Sequence, residues 1–194
     1  MLSEPLQLGK VDATKLIDFL YDFFHRDFVA NKTYLNRSIY IDPRSNRLDA
    51  GKELDFWHLT TRENKRQVRE GNRLVWISEG RFPDFARSER IEWVKQILEN
   101  HDHESIKLFY HQESNSKRDI RLYLWAYQHD FVVILQKLGR SSSFLVASFY
   151  LDDGGKRRDY ERRFCCYKNK ENREIEGWSS IIDRTIRPPL STQW

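Results

Sequence analysis

Few residues in this chain have both the type and the setting to do chemistry. His58 lies in the segment FWHLTT, residues 56–61, just before Thr60 and Thr61. Imidazole titrates near neutrality and can relay protons. A histidine beside Phe56 and Trp57 is nevertheless more often a hydrogen-bonded core residue. Arg87 falls in helical register with Ile91, Val94 and Leu98, and Arg90 with Trp93, Val94 and Ile97. Both arginines therefore head the stripe that faces the body of the protein. Burying arginine without an anionic partner is costly. The pair either forms internal salt bridges to Asp or Glu, or clamps a phosphate at the rim of a cleft. His101-Asp102-His103-Glu104 has metal-binding residue types, but it follows a helix and reads as a solvated loop. No metal or other cofactor is expected. His25 and His129 carry no local signal.

The wider composition removes many function classes. The chain has 194 residues, 14% of them aromatic and 32% charged, with a formal net charge of +4. That aromatic content favours a folded domain over a disordered one. No GxGxxG, Walker A, HExxH or CxxC pattern is present. The two cysteines, Cys165 and Cys166, are adjacent, and a bridge between neighbours is strained. No apolar run approaches the roughly 18 residues of a membrane span, and the opening MLSEPLQLGK lacks a signal pattern. A soluble, cytoplasmic protein without a membrane partner is expected. Residues 156–173 hold eight basic and three acidic residues, and residues 62–90 hold eight and five. Two basic segments thus sit on a mildly acidic body. They can attract a polyanion, or they can be solvated helix faces laced with ion pairs such as Asp159–Arg163.

These residues need elements to position them. The spacing of Leu16, Phe19, Leu20, Phe23 and Phe24 predicts a helix over 12–29, with Asp12 as its cap. Residues 34–42 read as a short strand, and 43–55 as a connection. Residues 56–61 return to apolar character, and a long basic stretch leads to LVWIS at 74–78. Residues 84–99 predict a helix after Pro83, capped by Asp84. The second half predicts strands at 106–111, 120–127, 131–137 and 144–151. The short polar loops between the last three favour an antiparallel meander, with the apolar 131–137 strand inside. Residues 156–168 read as a closing helix or a basic edge. The order gives an α+β fold: an antiparallel four-stranded sheet with N-terminal helices packed on one face. The expected organisation is an N-terminal helix over 1–33, one α+β domain over 34–170 sharing its core with that helix, and a C-terminal tail over 171–194.

Alternation along the strands assigns two faces. Ile120, Leu122, Leu124 and Ala126 make one aliphatic face. The opposite face carries Lys107, His111, Arg121, Tyr123, Trp125 and Tyr127, and simple alternation adds Ser148 and Tyr150. Rings among cations suit a single-stranded nucleic acid, because bases stack and phosphates pair. The competing reading is that a second core layer or the tail covers these rings.

The order FWHLTT, Arg87-x-x-Arg90-Ile91-x-Trp93, YLWAY, DFVVIL and FLVASFYLD resembles the phage- and toxin-associated nucleases of the barnase, EndoU, colicin and RelE-like group. The resemblance spans roughly residues 34–165. Ser148-Phe149-Tyr150 matches the hydroxyl, aromatic and Tyr at the end of the last strand, with Ser148 where relatives often have Thr. The resemblance implies a microbial-RNase-like fold and a metal-independent endoribonuclease. In that reaction a 2′-OH attacks the adjacent phosphate and leaves a 2′,3′-cyclic phosphate. It implies His58 as general acid or base and Arg87 and Arg90 as phosphate holders. Ser148 would donate to a phosphate oxygen, Tyr150 would do the same or stack a base, and Thr60 would support them. Lys107, Arg121, Tyr123 and Trp125 would contact the RNA substrate. A proteinaceous inhibitor, such as an antitoxin or immunity protein, is the second implied partner. The competing functions are a non-catalytic RNA- or DNA-binding module using the same basic aromatic face, and an interaction protein whose partner covers that face.

Overall fold

Two periodicities divide this chain, and each builds its own layer. A computed structural model describes residues 2–114, 119–139 and 141–169. Near the N-terminus, helical spacing of apolar residues builds α1 (Leu16–Phe24), which continues through a π-helical stretch, His25–Ala30. Asp12 does not cap this helix directly; its carboxylate accepts from the amide and hydroxyl of Thr14, one turn earlier. Short strands follow as β1 (Tyr34–Leu35), β2 (Ile39–Asp42), β3 (Leu48–Asp49) and β4 (Lys52–Glu53). The FWHLTT segment lies in a helix, α2 (Leu54–Thr60). The basic stretch becomes a long hairpin of β5 (Thr61–Glu70) and β6 (Arg73–Pro83). The expected helix over 84–99 breaks into α3 (Phe85–Ser88) and α4 (Ile91–Glu99), and Arg90 begins the second piece.

The later half supplies β7 (Ile106–Gln112), β8 (Ile120–Ala126), β9 (Phe131–Lys137) and β10 (Ser142–Tyr150), paired antiparallel in sequence order. The sheet does not stop at four strands. Its order is β1-β2-β10-β9-β8-β7, and β2 runs parallel to β10. The expected antiparallel four-stranded, microbial-RNase-like sheet is therefore replaced by a six-stranded mixed one. The physical reason is connectivity. Short loops specify only sequential pairs, whereas β2 reaches β10 from about a hundred residues earlier in the chain.

Helices also cover both faces, not one. Phe24 and Phe28, Phe56 and Leu59, and Val94 and Leu98 pack with Leu122, Leu124, Val133 and Leu145 on one face. On the other face α5 (Gly154–Asn169) lays Tyr160, Phe164 and Tyr167 over Phe109, Tyr123, Trp125, Val132 and Ile134. Phe109 and Tyr123 stack with their ring centroids 5.1 Å apart, and the Tyr160 ring meets the Phe109, Tyr123 and Trp125 rings. The aromatic face is thus a second core. Its cover is the described part of the basic segment, where Arg158 and Arg162 are exposed while Tyr160, Phe164 and Tyr167 turn inward. Among the described residues no helix is long and apolar enough to cross a membrane. The expected tail over 171–194 lies outside the described residues.

Trp125 is fully buried and central to this second core. Trp125→Ala should cost about 3–5 kcal/mol, the usual loss for a large buried aromatic. Urea denaturation measures it, and an unchanged midpoint would mean that α5 does not seal this face.

Candidate functional site

Where β2 ends, the outer side of β10 needs new partners. β2 pairs with β10 only as far as Phe144; beyond it, α2 and α3 pack along the strand. Backbone groups left at such an edge must find partners, and α2 supplies side chains. The Asp55 carboxylate lies near the Leu145 amide, which favours its charged form. His58 Nδ1 lies 3.3 Å from the Val146 carbonyl. Asp55 has no exposed surface and pairs with Arg44, whose guanidinium lies over the Phe144 ring. Burial pushes the Asp55 carboxyl up to about 7, against the pull of Arg44 and the Leu145 amide.

The contact to a carbonyl orients the imidazole. Only a protonated Nδ1 can donate to the Val146 oxygen, so Nε2 is the basic nitrogen of neutral His58. Burial lowers the His58 pKa, and the charges of Arg81, Arg44 and Arg87 add to this against the Val146 carbonyl.

The C-terminal end of α2 presents carbonyls, and arginines collect there as its negative end favours. Arg81 donates to Trp57 O at 3.2 Å, and Arg87 donates to His58 O and Thr61 O at 3.3 Å each. Asp84 begins α3 and pairs with two guanidiniums, Arg62 at 3.0 Å and Arg87 at 3.1 Å. One carboxylate shared by two cations leaves positive charge uncompensated. The Arg87 Nε, although this close to Asp84, has no aligned acceptor. Burial lowers the Arg87 pKa, but a guanidinium remains charged.

Beside these arginines opens a cleft of about 660 Å³ between α5, α3 and the end of β10. Its cations are Arg62, Arg87, Lys156 and Arg163, and its rings are Phe149, Tyr150 and Tyr160. Asp159 also lines it and is held by Arg162 and Arg163. Lys156 pairs with Asp152 across one helical turn. The charge favours an anion and the rings offer planar surfaces, a combination that suits a nucleotide chain. Among the described residues, no group of three or more His, Cys, Asp or Glu side chains is placed to hold a metal ion. His101 instead meets the Leu98 carbonyl, and His103 meets Ser105.

The predicted site residues part company here. Arg87 and Tyr150 stand on the cleft wall. Arg90 lies over the Tyr150 ring at 5.0 Å and donates to Ala86 O. His58 is off the wall and joined to it through Arg87. Ser148 is not exposed: it is 1% accessible, and its hydroxyl has no partner among the described residues. The cause is a β-bulge at Val146, which lets Leu145 pair with Leu135 and Ala147 with Ile134. One extra residue reverses the alternation. Ser148 and Tyr150 consequently share a face with Val133 and Phe131, opposite Tyr123 and Trp125. Thr60 is buried and donates to Phe56 O. Tyr123 and Trp125 lie under α5 and cannot receive a substrate as placed. Lys107 is spent on the Trp125, Tyr127 and Phe164 rings, and Arg121 is half-buried at the other end of β8, across from His111.

Arg62, Lys156 and Arg163 belong to the cleft and were missed as individual site residues. Their signal was the charge of the two basic segments, which the fold brings to one place. Asp55 and Arg44 were invisible because their role depends on an edge that no local pattern announces. No family model, curated protein or solved structure matches this chain.

His58 also affects stability. The folded chain holds it neutral where an unfolded chain would take up a proton. Its contribution is complete above the ordinary value of 6.5 and is lost as pH falls through the lowered folded value. His58→Gln, which can still donate to Val146 O, should flatten the acid side of the stability profile. Urea midpoints measured above and below pH 6.5 test this, and a profile unchanged by the substitution would contradict it.

Proposed function

We propose that this chain is a metal-independent endoribonuclease whose proton acceptor is His58, as the resemblance to the barnase, EndoU, colicin and RelE-like group implies. The observation that carries the proposal is the imidazole itself: neutral, with Nδ1 engaged by Val146 and Nε2 left as base, beside an arginine that reaches the cationic cleft. In the proposed step a 2′-OH gives its proton to Nε2 as its oxygen attacks the neighbouring phosphorus. The new P–O2′ bond replaces the P–O5′ bond, and Tyr150 supplies the proton that the 5′ oxygen carries away. Arg87 and Arg163 balance the charge that develops on the phosphate oxygens. A toxin- or phage-associated setting with a proteinaceous inhibitor belongs to the same reading.

A binding module is the second reading, and specific observations favour it. His58 is off the cleft wall and the Ser148 hydroxyl is buried, whereas the cations and rings of the cleft need neither residue to hold RNA.

Incubation with total RNA in EDTA separates the two. Cleavage should leave 2′,3′-cyclic phosphate ends, and His58→Ala should slow it roughly 10²–10⁴-fold with little change in RNA affinity. Arg87→Ala should weaken cleavage and binding together, with circular dichroism checking that each variant is folded. Equal cutting by wild type and folded His58→Ala, or RNA retained uncut, would leave the binding module as the better reading.

A further inference from the structure

Beyond its base, where Arg62 and Arg81 belong to the site, the β5–β6 hairpin has no role described so far. Its strands of ten and eleven residues reach about 34 Å at 3.4 Å per residue. Apart from Thr61, which is buried, and Val68, which is half-buried, every residue in it is exposed. A lone two-stranded hairpin is marginal in water, so a partner along its length would stabilise it. It carries six basic and three acidic residues.

Register sorts its side chains. Trp76 faces Gln67, Lys65 faces Ser78 and Arg69 faces Leu74, so Lys65, Gln67, Arg69 and Trp76 share one face. The extra residue at Glu79 falls nearer the base and does not disturb this set. Trp76 is 63% exposed. Lys65 pairs with exposed Glu63, and Arg69 donates to Gly71 O. A large ring thus lies open to solvent between two cations on a projecting ribbon. Arg62, the second residue of β5, already lines the cleft, so the arm springs from the cleft's rim.

We infer that this face of the arm is a second RNA-binding site, where an unpaired base stacks on Trp76 and the flanking phosphates meet Lys65 and Arg69. The inference rests on RNA being the ligand of the cleft. Unpaired RNA is the occupant for two reasons. Its bases expose the π-faces that a ring can take up, and attack by a 2′-OH needs a backbone free to turn in line. A second copy of the chain seated symmetrically on the same face would set Lys65 and Arg69 against their own like charges.

The test uses a fluorescent 2′-O-methyl oligouridylate, which cannot be cut, together with an abasic strand of equal length. Trp76→Ala should weaken binding of the oligouridylate roughly 5- to 150-fold, the range for one stacked base. The abasic strand should be indifferent to the change, and Trp76→Phe should restore most of the affinity. Replacing Lys65 and Arg69 with Gln should make the salt dependence shallower. Unchanged affinity in Trp76→Ala, or equal weakening for both strands, overturns the inference. So does a change in sedimentation alone, which would assign the face to a second copy. Loss of binding on changing Arg62 and Lys156, with Trp76→Ala silent, keeps the cleft and removes only the arm. Stacking on Trp76 by a protein that cuts nothing keeps the arm and removes the nuclease.

Discussion

A third of the way along β10, after Phe144, its pairing with β2 ends, and the candidate site is built on how that edge is closed. The Asp55 carboxylate sits by the Leu145 amide and His58 meets the Val146 carbonyl, so two side chains of one short helix stand where backbone would otherwise pair. This holds α2 against the sheet and fixes where its C-terminal carbonyls point. Those carbonyls gather Arg81 and Arg87, and Asp84 ties Arg87 to Arg62. The cleft takes two of its four cations, Arg62 and Arg87, from this chain of contacts.

The same edge explains why the functional side chains are unequal. The bulge at Val146 brings a carbonyl to His58 while rotating Ser148 into the core. A strand without the bulge would present the Ser148 hydroxyl on the face of Trp125 and return Val146 to ordinary pairing. Orientation of the imidazole and the face that the serine takes are thus two results of one inserted residue.

α5 has a double part. Its inward rings complete a core that the sheet alone leaves aromatic and open, and its cations form one wall of the cleft. Tyr160 belongs to both, since it packs on Trp125 and faces the cleft. Its phenol is raised above the ordinary value, first by burial. Stability of the second core and the shape of the anion site are therefore linked through one helix.

Local pattern alone was enough to place the four later strands, the sequential antiparallel pairing among them and the apolar stripe of Ile91, Val94 and Leu98, because each depends on neighbours a few residues away. It also marked Arg87, which reaches the cleft; Tyr150 reaches it too, but from the face opposite to the one alternation gave it. It did not reveal the parallel contact of β2 with β10, the helix that seals the aromatic face or the bulge that turns Ser148 inward. Those are decided by packing between distant segments. A basic helix reads the same from its sequence whether its few rings face water or a sheet, and alternation counts residues without sensing an insertion. Tertiary structure settled both, because only there do the unpaired edge and the open aromatic face meet the groups that satisfy them.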